Sequence, residues 1–134
     1  MRARRSHVVY LLTCCVAVNV AVAMAEPPAA QDVERSRVCM LKDEVEPQAG
    51  TAYEYEGKKY YLCCPMCVTT FKQEPARYSK AHDPVSGQTV DKATAPILAY
   101  KSKAYFFASE ESRAAFAKEP EHYVRSTSHD PDDR

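Results

Sequence analysis

The chain has 134 residues, 46% of them apolar and 27% charged, with six cysteines, no tryptophan and a formal net charge of zero. That length holds one ordinary domain or two very small ones. The sequence carries no G-x-S-x-G elbow, no nucleotide-binding glycine loop and no paired-carboxylate motif, so a hydrolase or transferase is not expected and the protein reads as a non-enzyme.

Residues 1–25 read as a signal peptide. Arg2, Arg4 and Arg5 make a basic start, residues 8–22 form an apolar run, and Ala23-Met24-Ala25 is a small-x-small cleavage site. The run is short for a membrane span; the competing reading is an uncleaved anchor. Cys14 and Cys15 belong to this leader. Without its three arginines, 15 basic residues face 18 acidic ones, a net charge of −3. A basic face is what nucleic acid requires, so no nucleic-acid partner is expected, nor a membrane span in the mature chain. Export, with the bacterial periplasm as the expected location, puts the remaining Cys39, Cys63, Cys64 and Cys67 where disulfides can form.

After a linker at 26–35, two lines of sequence align at a constant offset of 45. "YEGKKYYLCCPMCVTTFKQEPARY" at 55–78 meets "YKSKAYFFASEESRAAFAKEPEHY" at 100–123. Tyr55 meets Tyr100, Tyr60 meets Tyr105, Phe71 meets Phe116, Glu74-Pro75 meets Glu119-Pro120 and Tyr78 meets Tyr123. Such an internal repeat outranks local propensity. It divides the chain into modules at 36–80 and 81–125, with a polar tail at 126–134. Modules this small rarely build a sufficient core alone, so they need a staple or each other.

Both modules predict an α+β unit: a short lead-in strand or turn (39–45; 86–90), a β-hairpin, then a short helix. The hairpin arms fall near 52–56 and 59–62, turning at Gly57, and near 97–101 and 104–107. The first helix takes Cys64 as its cap and Pro65 as its first residue, where proline is favoured. The second starts at Ser109, a good N-cap, with Glu110 and Glu111 in its first turn. Pro75 and Pro120 end them. Phe106, Phe107, Phe116, Tyr105 and Tyr123 are the expected core of the second module.

Cys63 then ends a strand and Cys67 lies in the first helical turn, with Cys39 arriving from the lead-in segment. The spacing is Cys39-x23-Cys63-x3-Cys67, with Cys64 secondary. Amide N–H groups at the helix start favour thiolates there.

These residues carry a resemblance. Cys39-Met40, the run Tyr55-Glu-Gly57-Lys-Lys-Tyr60-Tyr61-Leu62-Cys63, then Cys67, Phe71 and Pro75-Ala-Arg-Tyr78 resemble the TRASH/YHS family of small treble-clef-like metal-binding modules. "HDPVSGQTV" through Tyr123 is similar to the YHS form without its thiols: Ser86, Ala108 and Ser112 stand where Cys39, Cys63 and Cys67 would be. The resemblance implies binding of soft or borderline heavy metals, in copper or mercury handling.

Three thiolates suit Cu(I), or Hg(II) by the same softness, whereas a structural Zn(II) site wants four ligands. Cys64 is a candidate fourth. Met40 and Met66 are candidate thioether ligands, although a methionine more often fills core space. The histidines at 82, 122 and 129 read as surface or hydrogen-bonded residues rather than ligands. The function expected is capture, buffering or delivery of a soft metal, copper first, with a metal-transport or metal-sensing protein as partner. The alternatives are a disulfide-stabilised structural or interaction protein, and thiol–disulfide exchange by the C-x-x-C pair Cys64 and Cys67.

Overall fold

The computed structural model describes residues 28–127. The signal-peptide and cleavage readings at 1–25, with Cys14, Cys15 and His129, lie outside the described residues. Among the described residues no helix is long and apolar enough to cross a membrane.

The fold is α+β. A single 3₁₀ turn (Arg35–Arg37) leads into β1 (Val38–Cys39) and β2 (Glu44–Val45). The hairpin β3 (Thr51–Tyr55) and β4 (Lys58–Leu62) follows, then α1 (Pro65–Gln73) and the one-turn α2 (Pro75–Tyr78). A short hairpin of β5 (Lys80–His82) and β6 (Thr89–Asp91) leads to β7 (Ile97–Tyr100), β8 (Lys103–Phe106), α3 (Glu110–Lys118) and α4 (Pro120–Thr127). The two long helices start 45 positions apart, like the sequence repeat that predicts them. Pro75 and Pro120 do end α1 and α3, but each also opens a new helix, because proline suits the first helical position. Pro120 therefore opens a full helix that runs into the expected polar tail.

Both main hairpins turn through two residues with positive φ: Glu56 (51°) and Gly57 (72°), then Lys101 (50°) and Ser102 (65°). That pair of left-handed residues matches the strand twist. Just before β3, Gly50 lies so close to the backbone of Leu62 that a Cβ would sit 2.8 Å from its carbonyl oxygen.

The halves share a sheet. Its order is β1-β2-β8-β7, antiparallel throughout, so the lead-in strands of the first half pair with the second hairpin rather than their own. Side chains along β7 and β8 alternate between two cores, as the period of two requires. Ile97, Ala104 and Phe106 face the larger cluster with Val38, Cys39, Met40, Tyr60, Leu62 and Phe71. Leu98, Tyr100, Tyr105 and Phe107 face the smaller one with Phe116 and Tyr123. Phe106 thus belongs to the first half's core, contrary to its expected place, because its neighbours Tyr105 and Phe107 occupy the other face. Residues 26–35, read as a linker, are held down where described: Gln31 bridges β7 by two hydrogen bonds of 2.8 Å to Ala99, Asp32 pairs with Arg113, and Arg35 donates to the carbonyls of Lys92 and Ala95.

Asp91 at the end of β6 ties the first hairpin to the second half. It accepts from Lys58 (2.8 Å), Lys80 (3.0 Å), the Tyr60 hydroxyl (3.0 Å) and the Ala93 N–H (3.0 Å). Burial alone would raise its carboxyl, but these donors hold it well below the usual carboxylate range. A depressed carboxylate stabilises the fold above its unfolded pKa of about 3.9, and that contribution is lost as pH falls toward the folded value. Asp91→Asn should cost about 1.5–3 kcal/mol at pH 7 and less at pH 3. Urea unfolding of both proteins at the two pH values checks this; an equal difference at both would show that Asp91 is not the acid-sensitive group.

Candidate metal centre

Three elements bring the thiols together. Cys39 is the last residue of β1, Cys63 follows β4, and Cys67 lies in the first turn of α1. Their sulfurs all lie within 4.8 Å of one another. Cys39 is 1% and Cys67 6% exposed, while Cys63 is half-buried. All four cysteines of the described residues are free thiols. Cys64 caps α1: its sulfur accepts the Cys67 N–H at 3.3 Å and lies 3.1 Å from the Cys67 sulfur. The Cys63 and Cys67 sulfurs are 3.5 Å apart. Met40 is fully buried in the larger core, and Met66 is 78% exposed on the first turn of α1.

The turn that carries Cys39 is fixed on several sides. Its carbonyl accepts the Asp43 N–H at 2.8 Å, and the Met40 N–H donates to the Tyr61 carbonyl at 2.9 Å. The buried Lys92, from the second half, donates to the Met40 carbonyl at 2.9 Å and to the Asp43 carboxylate at 2.8 Å. A buried lysine is tolerated only with such partners. Nothing in the local sequence around Lys92 marks it, because both partners lie about 50 residues earlier.

The thiols divide the protons unequally. Burial pushes Cys39 up, but the N–H and the thiol of Cys63 and the N–H groups of Leu41 and Lys42 bring it below the ordinary value. Cys64 is also lowered, first by the Cys67 thiol and then by the Cys67 N–H. Burial and the neighbouring thiols push Cys67 up, and burial first of all pushes Cys63 up to about 11. The cluster therefore holds donors and acceptors side by side, and a soft cation would replace the shared protons. Glu46 adds a carboxylate that sequence reading missed. It sits 3.0 Å from Lys42, which holds its carboxyl below the ordinary value, with a smaller contribution from the Cys63 thiol.

Residues 42–82 match the family model of the YHS domain. The match takes in Cys63, Cys64 and Cys67 and begins three residues after Cys39. YHS domains are associated with heavy-metal binding, and the three sulfurs are close enough to hold one ion. No curated protein and no solved structure matches the chain.

The second half has a counterpart centre built from oxygen. The Asp83 carbonyl accepts the Gly87 N–H at 2.8 Å, four residues on, as Cys39 does from Asp43; Gly87 and Asp43 both have positive φ. Asp83 accepts the Ala108 N–H at 2.8 Å, and the corresponding Cys63 N–H is the group that most lowers the Cys39 thiol. Ser109 caps α3 by accepting the Ser112 N–H at 3.2 Å, as Cys64 caps α1. Asp83, not Ser86, therefore stands opposite Cys39. Matching Val38-Cys39 to Val85-Ser86 by letter misplaced it, since the turn's hydrogen bond sets the register. Asp83 is 1% exposed. Its buried carboxylate is held below the ordinary range: burial raises it, but the N–H groups of Ala108 and Val85 and the hydroxyls of Ser86 and Ser112 lower it further.

Proposed function

We propose that this protein binds one soft metal ion, Cu(I) first, through Cys39, Cys63 and Cys67, and that its role is to capture, buffer or deliver that ion rather than to catalyse a reaction. The observation that carries this reading is the three sulfurs within 4.8 Å, supplied by three separate elements and mostly shielded from water. Three soft ligands match Cu(I), which accepts low coordination, better than Zn(II), which wants a fourth ligand; Hg(II) is equally soft. The second half is a cysteine-free YHS-like copy that buttresses the first. Export to a periplasm and a metal-transport or metal-sensing protein as partner complete the proposal, supported by the basic and apolar leader.

Native mass spectrometry of the reduced protein with Cu(I), Zn(II) and Hg(II) in competition tests it. One soft ion per chain, with Zn(II) excluded, is the expected spectrum. A mass two hydrogens light, with no metal taken up, would favour the disulfide or thiol-exchange reading of Cys64 and Cys67.

A further inference from the structure

We propose that Cys64 is the exchange ligand of this centre, the thiol through which the bound ion passes to an external thiolate. This rests on the binding role proposed above and adds a path and a partner chemistry to it. The group of three mutually close sulfurs does not include Cys64, yet Cys64 touches it at 3.1 Å through Cys67. Two of the three inner ligands, Cys39 and Cys67, are almost closed to solvent. The third, Cys63, is only half-buried, but its sulfur packs within the cluster, 3.5 Å from that of Cys67. On the Cys64 side the approach is open and soft: Cys64 is partly exposed, and the next residue but one, Met66, is the large apolar side chain that stands most exposed among the described residues.

Capping does not explain a cysteine here. In the second half Ser109 holds the same position, accepts the equivalent N–H and starts a helix of the same nine residues. Serine is also among the best N-cap residues. A thiol at 64 thus supplies something other than the cap, and the sulfur beside it identifies what.

The exchange balances simply. The Cys64 sulfur bonds the ion and gives its proton to water, the metal–Cys67 bond breaks, and the Cys67 sulfur takes a proton from water. The ion keeps its oxidation state and coordination number. An acceptor's thiolate then displaces the remaining protein sulfurs one at a time, starting from this outer position.

Cys64→Ser is a clean variant because Ser109 shows that serine serves as the cap. Reduced protein loaded with Cu(I) would be mixed with a dithiol chelator, and both the equilibrium affinity and the transfer rate followed. The variant should keep its affinity while transfer slows by about tenfold or more, a barrier rise of about 1.4 kcal/mol. Unchanged transfer would overturn the proposal, and so would a parallel loss of affinity, which would make Cys64 a resident ligand. If the unaltered protein takes up no Cu(I), the binding role itself fails, and this inference with it.

Discussion

Cys39→Ser should weaken metal binding by at least about a hundredfold. Loss of an outer partner alone costs 10–100-fold, and this change removes a ligand. Cys39 is 1% exposed, and the neighbouring N–H groups of Cys63, Leu41 and Lys42 favour its thiolate, so the site is shaped around a sulfur at this point. A hydroxyl is a poor donor to a soft ion. The fold should survive, because the equivalent position in the second half holds an oxygen acceptor, Asp83, on the same N–H pattern. A chelator competition titration separates the outcomes. If Cys39→Ser binds normally and Cys64→Ser does not, the metal sits on the C-x-x-C pair instead.

Phe71→Ala should cost about 3–5 kcal/mol. Phe71 is fully buried, with ring centroids of Tyr60, Tyr53, Tyr55 and Tyr78 between 5.1 and 6.5 Å away. For a domain near 100 residues the melting temperature should fall by about 4–8 °C for each kcal/mol. Phe116→Ala, equally buried among Tyr100, Tyr105, Phe107 and Tyr123, should cost a similar amount. A metal that binds only the folded form restores about 2.7 kcal/mol at a hundredfold excess over its dissociation constant. Because β8 presents one face to each core, the halves should melt as one unit and metal should rescue both variants alike. Calorimetry showing rescue of Phe71→Ala only would mean that the cores unfold separately.

Much of this was legible in the letters. The offset of 45 placed the two main hairpins and the helices α1 and α3, since tyrosines, turn residues and capping residues act over a few positions. The cysteine spacing placed the strand end and helix start that hold Cys63 and Cys67, and the lead-in position of Cys39. The pairing of β2 with β8 was not legible, because a two-residue strand has no pattern of its own and joins whatever edge the tertiary fold offers. Phe106 could not be assigned to a core without knowing which face of β8 meets which half. Lys92 acts across distances in sequence that no local pattern records, and Asp83 was hidden by a serine that matched the cysteine in letter but not in the hydrogen-bonded turn.

X-ray absorption at the copper edge of the reduced, Cu(I)-loaded protein tests the three-thiolate centre most directly. The expected first shell is three sulfurs and nothing lighter, falling to two in Cys39→Ser and staying at three in Cys64→Ser. A shell of two sulfurs in the unaltered protein, or one completed by nitrogen or oxygen, would contradict it.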